Sequence, residues 1–135
     1  RKLLISPTAS GKSLMIYSLV RYYENQGQKI LLVVPTTSLV EQMYKDFVDY
    51  GWDADSYCHR IYSGREKHSN APVTITTWQS IYKLERSWFE QFNVVIGDEA
   101  HLFKSKSLIS IMIFNVLFLN ILHVSLIYLK MRCNI

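Results

Sequence analysis

Residues 6–13 have the residue types and the spacing of a loop that binds phosphate. They read Ser-Pro-Thr-Ala-Ser-Gly-Lys-Ser, after an apolar run at residues 3–5 and before a helical pattern. Small residues let backbone N–H groups close around phosphate oxygens, and the following helix directs its positive end to the same point. The usual pattern begins with Gly, where this chain has Ser6. Lys12 would reach the β- and γ-phosphates of a nucleotide, and the Ser13 hydroxyl would bind Mg²⁺. The predicted nucleotide contacts are Thr8, Ala9, Ser10, Gly11, Lys12 and Ser13.

Two adjacent acids, Asp98 and Glu99, directly follow a second apolar run at residues 94–96. A carboxylate at the end of a buried strand can bind the Mg²⁺ that Ser13 also holds, so Asp98 is the second predicted metal ligand. Glu99 could position and deprotonate an attacking water, as a general base does. The alternative is that both are solvated acids in a turn. Taken with the phosphate loop, the pair predicts hydrolysis of a nucleoside triphosphate.

The elements around these residues alternate between strand and helix. Short apolar runs predict strands at residues 2–6, 29–34, 73–77 and 93–97, with a less clear one at 57–62. A stripe at 3.6-residue spacing predicts helices at residues 11–25 and 38–50, and shorter ones at 78–84 and 87–91. Ser38 and Glu41 have capping-box spacing for the second helix, and Gly51 fits its C-terminal cap. The pattern predicts an α/β fold, a parallel sheet with helices on both faces, whose site lies at the carboxyl ends of the strands.

Size and composition predict one globular domain. The chain has 135 residues, of which 49% are hydrophobic and 13% aromatic, which argues against disorder. The net charge is +4, but residues 1–103 are neutral and the excess comes from four basic residues after position 103. Cys58 and Cys133 match no metal-ligand spacing and are expected to be reduced thiols. No secretory signal opens the sequence, so a cytoplasmic location is expected.

Residues 98–101, Asp-Glu-Ala-His, spell the D-E-A-H box of superfamily 2 helicases. Further segments resemble motifs of the same family. Residues 6–13 resemble motif I, residues 34–42 resemble motif Ia, and residues 76–80 resemble the T-x-x-S segment. The sequences of these motifs most resemble those of the UvsW-type ATP-dependent DNA helicases of tailed phages, and the resemblance covers roughly residues 1–110.

This resemblance implies a RecA-like P-loop NTPase domain, the first of two motor domains in a DNA helicase that uses ATP and Mg²⁺. Lys12 and Ser13 would bind nucleotide and metal, Asp98 would be the Mg²⁺ carboxylate, Glu99 the catalytic base, and His101 would couple the ATP site to DNA. The partner would be DNA, bound through its backbone without reading sequence. A phage protein of this kind would work in the host cytoplasm. The residues implied in DNA contact are Pro35, Thr36, Thr37, Thr77, Trp78, Gln79 and Ser80.

Several alternatives stay open at this stage. Residues 36–38 could serve only as a helix cap, and Trp78 could lie in the core rather than stack on a base. Arg65 and Lys67 could bind DNA phosphate or belong to a solvated loop. The chain could also be a module that binds nucleotide without turnover, since motif III and a second motor domain with its arginine finger are not found in it. A different phosphate-loop enzyme, such as a small-molecule kinase, would leave the D-E-A-H box unexplained.

The tail departs from the family pattern after about residue 110. Residues 108–129 contain no Asp, Glu, Lys or Arg. One interpretation is a membrane span, which the position just after a D-E-A-H box disfavours. Another is a continuation of the domain, with a buried helix and then a core strand at about residues 124–129. The favoured interpretation is a truncated or frame-shifted end. We therefore predict a partial motor domain at residues 1–110 and a divergent tail at residues 111–135.

Overall fold

The computed structural model describes residues 2–6, 11–62, 64–98 and 125–131, with side chains for residues 11–62 and 64–98. Strands and helices alternate along most of this length, as the apolar runs and stripes predict. In chain order the elements are β1 (Lys2–Ser6), α1 (Lys12–Glu24), β2 (Ile30–Val34), α2 (Thr37–Asp49), α3 (Ala54–Tyr57), β3 (Cys58–Ile61), β4 (Val73–Thr77), α4 (Trp78–Ile81), α5 (Arg86–Phe89), β5 (Val94–Asp98) and β6 (Ser125–Met131).

The six described strands form one sheet in the order β1-β6-β5-β2-β4-β3. Every pair of neighbours is parallel. The carboxyl ends of all six strands therefore lie along the same edge, where Val34 of β2 is in register with Thr77 of β4. Asp98 reaches this edge at the end of β5, in register with Leu129 of β6. The carboxyl ends of β1, β2, β4 and β5 share this edge, as predicted.

Helices cover both faces of the sheet, because the central strands bury side chains on both sides. In β2, Ile30, Leu32 and Val34 join the core under α1 and α2, which contribute Ile16 and Phe47. The intervening β2 residues, Leu31 and Val33, join a second core that contains residues of α4 and α5. This two-sided burial confirms the predicted parallel sheet between helix layers.

The start of α2 differs from the prediction. The N-cap is Thr36, whose hydroxyl accepts a hydrogen bond from the Leu39 N–H at 3.3 Å. Ser38 lies inside the helix, so the predicted capping box of Ser38 and Glu41 is wrong. Thr36 takes this role because its backbone is extended and its oxygen reaches the third residue onward. The end of α2 is as predicted, since Gly51 follows the cap with a φ of +83°.

Two elements add to the predicted pattern. The first, α3, was not predicted, and the second, β6, bears on the open interpretation of the tail. The short helix α3 is not evident in the sequence; Asp53 caps it by accepting from the Ser56 N–H at 3.4 Å. Strand β6 lies between β1 and β5, close to the strand expected if the tail continues the domain. Its pairing supports that interpretation, whereas the domain boundary at residue 110 stays a prediction. Among the described residues, no helix combines the length and hydropathy of a membrane span.

Phe47 offers a direct test of the core beneath α1 and α2. Its ring is fully buried and lies 5.5 Å from the Tyr17 ring and 5.8 Å from the Trp52 ring, centroid to centroid. We expect Phe47→Ala to lower the free energy of unfolding by about 3–5 kcal/mol, since it removes these contacts and leaves a cavity. Val48→Ala is the matched control; Val48 is 46% exposed and should change stability by less than about 0.5 kcal/mol. Urea denaturation measures both, and equal losses would contradict this assignment of the core.

Candidate functional site

Lys12 and Asp98, which are far apart in the sequence, meet at the carboxyl edge of the sheet. Lys12 is the first residue of α1, after Gly11, and Asp98 is the last residue of β5. The Lys12 Nζ lies 2.5 Å from the Asp98 Oδ1, and the two side chains are only 8% and 7% exposed. The predicted phosphate-binding lysine and the predicted Mg²⁺ carboxylate therefore belong to one site.

Burial of this ion pair has an energetic consequence for what the site can bind. Two charges removed from water lose hydration, and their mutual attraction in a low-dielectric setting compensates for that loss. A ligand that carries both anionic oxygens and a bound cation can replace the contact between the two side chains, because it offers an opposite charge to each of them. Phosphate oxygens can accept hydrogen bonds from the Lys12 ammonium, and the Asp98 carboxylate can coordinate a divalent cation. The pair is thus suited to a metal–nucleotide complex.

Ser13, the other predicted metal ligand, hydrogen-bonds to a residue that the sequence analysis did not single out. Its Oγ lies 2.5 Å from the hydroxyl of Tyr50, which caps the C-terminus of α2. The Tyr50 ring in turn packs on Tyr17 of α1, with 5.1 Å between ring centroids. The contact joins α2 to the first turn of α1. Nothing in the local sequence around Tyr50 predicts this contact, because Tyr50 follows α2 and is 37 residues from Ser13 in the sequence.

The donor atoms at this site fit Mg²⁺. Ser13 offers a hydroxyl and Asp98 a carboxylate, both hard oxygen ligands. Across the described ranges, no group of three or more His, Cys, Asp and Glu side chains could hold a metal by itself. Mg²⁺ suits such a sparse set, because it is usually bound by one or two protein oxygens together with phosphates and waters. The predicted roles of Thr8, Ala9, Ser10, Glu99 and His101 fall outside the described residues and stay predictions.

A second feature of the same sheet edge is a cleft of about 560 Å³ at the ends of β2, β3 and β4. Pro35 follows β2, Tyr62 follows β3 and Thr77 ends β4, so three adjacent parallel strands form its floor. The lining residues are Pro35, Thr36, Thr37, Tyr62, Gly64, Lys67, Thr77, Gln79 and Ser80. We call this feature the strand-end cleft. It brings together every residue predicted to contact DNA except Trp78.

Trp78 is a correction to the predicted contact set. Its side chain is 6% exposed and packs in the core beneath α4 and α5, with Ile81 and Phe89. The structure therefore supports the core interpretation of Trp78 that the sequence left open. A buried ring cannot stack on a base, so Trp78 leaves the set of candidate DNA contacts.

Hydroxyl groups hold the floor of the strand-end cleft together. The Thr77 Oγ1 lies 2.9 Å from the Ser80 Oγ, which ties the end of β4 to α4. Thr76 donates its hydroxyl to the Ile61 carbonyl at 3.0 Å and so joins β4 to β3. Thr36 serves as the helix cap and also lines the cleft. The capping role and the lining role of Thr36 are therefore compatible.

The sequence allows two interpretations of the loop between β3 and β4, DNA contact or solvation, and the structure brings part of this loop to the cleft. Tyr62, Gly64 and Lys67 are lining residues, whereas the Arg65 guanidinium lies over the Tyr62 ring at 4.8 Å from its centroid. Glu66 accepts hydrogen bonds from the backbone N–H groups of the next two residues, and these bonds lower the pKa of its carboxyl. A signal for this loop existed, since Gly64 and two basic residues follow a predicted strand.

Comparisons with known proteins agree with this arrangement. A family model for the type III restriction enzyme res subunit matches residues 1–124. The ATP-dependent DNA helicase uvsW of Enterobacteria phage T4 is 44% identical over 116 residues, which are 82% of this chain and 23% of that protein. The chain thus spans about a quarter of the length of this relative.

Solved structures show the same fold. A crystal structure of T4 UvsW matches with a TM-score of 0.78 and 37% identity, over 95% of this chain and 26% of that chain. A crystal structure of the UvsW helicase from bacteriophage T4 gives 0.78 and 38%, over 95% of this chain and 46% of that chain. The Hef helicase domain of Pyrococcus furiosus, at 20% identity, has a TM-score of 0.75 over 96% of this chain and 30% of that chain, and shows the fold alone.

The buried ion pair predicts how replacement of Asp98 affects stability. Asp98→Asn leaves the Lys12 ammonium next to a neutral amide in a site that excludes most water. We expect the free energy of unfolding to fall by about 3 kcal/mol. Asp49→Asn is the control, because Asp49 is an exposed residue at the end of α2 and its replacement should change stability by less than about 0.5 kcal/mol. Chemical denaturation at neutral pH measures both, and an unchanged Asp98→Asn variant would count against the pair.

Proposed function

The chain belongs to the type III restriction enzyme res subunit family, and on that premise we propose that it is the first ATP-binding motor domain of a DNA helicase or translocase. The observation that carries the proposal is the buried contact between Lys12 and Asp98, at 2.5 Å. It places the phosphate-loop lysine next to the carboxylate of the D-E-A-H box. The fold supports the same proposal, because it matches the RecA-like helicase domains of the UvsW structures.

Each residue of the site has a separate proposed role in ATP hydrolysis. Lys12 would exchange its contact with Asp98 for contacts to the β- and γ-phosphates, which would leave the Asp98 carboxylate available to a cation. Ser13 and Asp98 would hold Mg²⁺, which neutralises charge on the phosphates during transfer to water. Glu99 would orient and deprotonate the attacking water, and His101 would link this step to the DNA side. The last two roles come from the match of residues 98–101 to the family motif.

The strand-end cleft is the proposed binding site for DNA. Its hydroxyls and its Gln79 amide can donate hydrogen bonds to phosphate and sugar oxygens without reading bases. A motor that steps along any sequence needs contacts of this kind. The cleft and the Lys12–Asp98 pair lie on the same sheet edge, so β2 and β5, which are neighbours in the sheet, connect the two.

A second candidate function is a module that binds nucleotide but does not hydrolyse it. The relative of phage T4 is about four times longer than the matched part of this chain, which covers 23% of it. We propose that turnover and movement on DNA need a second RecA-like motor domain that supplies an arginine finger. A role in recombination, replication or repair of phage DNA, in the host cytoplasm, is the biological setting that we propose.

Lys12→Ala tests the nucleotide site. We expect the 135-residue chain to bind Mg·ATP and to hydrolyse little or none of it by itself. Loss of the Lys12 ammonium removes charge-assisted hydrogen bonds to phosphate, so affinity should fall about 10- to 100-fold. Lys45→Ala, at an exposed position of α2, is the control and should bind as the parent chain does. Calorimetry and an ATPase assay with and without DNA provide the readouts.

The outcomes of this test separate the candidates. DNA-stimulated turnover that disappears in Lys12→Ala would show that the chain alone is a working motor. Nucleotide binding without turnover would favour the module. No Mg·ATP binding, or equal binding by the parent chain and Lys12→Ala, would refute the proposed nucleotide site.

Gln79→Ala tests the DNA side. Gln79 is an exposed lining residue of the strand-end cleft, and loss of its amide should weaken binding of single-stranded DNA about 3- to 10-fold. The loss should be the same for an oligo-dT strand and for a mixed sequence, because the contact is to the backbone. Gln26→Ala is the matched control, at an exposed position just beyond α1. Fluorescence anisotropy measures the affinities, and equal values for both variants would place the DNA elsewhere.

A further inference from the structure

The loop at residues 64–68, between β3 and β4, forms one wall of the strand-end cleft and brings it a positive charge. Lys67 is the one charged side chain among the described residues that line the cleft. Pro35, Thr36 and Thr37, which follow β2, also line the cleft and lie on the other side of β4 from this loop in the strand order. An anion in this cleft would thus meet hydroxyl and amide donors and an ammonium, and the lining residues that the structure describes include no carboxylate to repel it.

Contacts to two separate parts of the fold hold this loop in place. The Trp88 Nε1–H donates to the Lys67 carbonyl at 2.8 Å, and the Trp88 ring packs in the core beneath α4 and α5. On the other side, the His59 Nε2 lies 2.7 Å from the Glu66 carbonyl, which links the loop to β3. The Glu66 carboxylate accepts from the N–H groups of Lys67 at 2.9 Å and His68 at 3.1 Å. The backbone of Lys67 is therefore positioned before any ligand binds.

Arg65 is also a basic residue of this loop, but its side chain, unlike that of Lys67, does not line the cleft. Its guanidinium lies over the Tyr62 ring, at 4.8 Å from the centroid. Tyr62 itself packs against the core beneath α1 and α2. The covered ring is poorly placed to stack on a base, so a charge contact to the nucleic-acid backbone is the interaction that this wall offers.

We propose that Lys67 binds a phosphate of a single DNA strand in the strand-end cleft, which Thr36 and Thr37 also line, and that Trp88 is a positioning residue for this contact. The proposal rests on the proposed function, because it assigns a further contact to the same DNA site. It goes beyond the helicase motifs in the sequence, none of which includes residues 62–72. Preorganisation by Trp88 reduces the ordering entropy that binding would otherwise cost.

The salt dependence of DNA binding tests Lys67. Each phosphate that a cation neutralises on a single strand contributes about 0.7 to the slope of log affinity against log salt concentration. We expect Lys67→Ala, in the full chain, to reduce this slope by about 0.7 for a labelled oligo-dT strand and to weaken binding about 3- to 10-fold at low salt. Lys67→Arg keeps the charge and should keep the slope. Lys83→Ala removes an exposed charge that does not line the cleft and should also keep the slope.

The outcomes separate this inference from the proposed function. If the parent chain binds the strand and Gln79→Ala weakens it, but Lys67→Ala has the parent slope, the inference about Lys67 is wrong and the DNA site stands. If the parent chain has no measurable affinity for the strand, both the DNA site and the role of Lys67 are refuted. A slope that falls equally in Lys67→Ala and Lys83→Ala would indicate a general charge effect and would also overturn the inference.

Trp88→Phe tests the positioning role through a double-mutant cycle. The variant keeps an aromatic ring in the core and removes the Nε1–H that donates to the Lys67 carbonyl. We expect DNA affinity to fall about 2- to 5-fold in the parent background and to stay unchanged in the Lys67→Ala background. A purely structural effect would weaken binding equally in both backgrounds, and that result would reject the positioning role.

Discussion

The ion pair between Lys12 and Asp98 is the interaction on which the candidate site depends. Each side chain is almost fully buried, and neither charge could be held there without an opposite charge close by. The pair requires the start of α1 and the end of β5 to lie close enough for the two side chains to meet. A parallel sheet meets this requirement because the carboxyl ends of its strands lie along one edge, where the next helix can begin. The same arrangement presents the ammonium and the carboxylate to a metal–phosphate ligand.

The sheet also determines how the proposed nucleotide site and the proposed DNA site of this domain are placed relative to each other. Strand β2 pairs with β5 on one side and with β4 on the other. The Lys12–Asp98 pair lies at the end of β5, and the strand-end cleft lies toward β4 and β3. The β2 side chains are buried on both faces, so a shift at one site is transmitted to a closely packed strand rather than to a loose segment. This arrangement gives a physical basis for coupling ATP binding to DNA contact, within the proposed function.

Much of the fold and part of the site could be predicted from local sequence. The strands at residues 30–34 and 73–77 are continuous apolar or β-branched runs, and α1 and α2 carry stripes at helical spacing. Residues 6–13 and 98–101 match their motifs as continuous segments, so they can be recognised as candidate site residues without knowledge of distant contacts. The sequence places the N-cap of α2 two residues too late, because Thr36, Thr37 and Ser38 are all good caps and only the backbone at Thr36 distinguishes them.

What the sequence by itself determined is the alternation of the main strands and helices and the family to which the chain belongs. It also predicts the roles of the phosphate loop and of the D-E-A-H box. The tertiary structure decided which distant residues meet. It placed β6 between β1 and β5 and buried Trp78 in the core. It also brought Lys67 to the strand-end cleft, whereas the Arg65 guanidinium lies over the Tyr62 ring. It also joined Ser13 to Tyr50. The physical reason is that periodicity and local propensity report on neighbours a few residues apart, whereas these contacts depend on how strands pair and helices pack across the sheet.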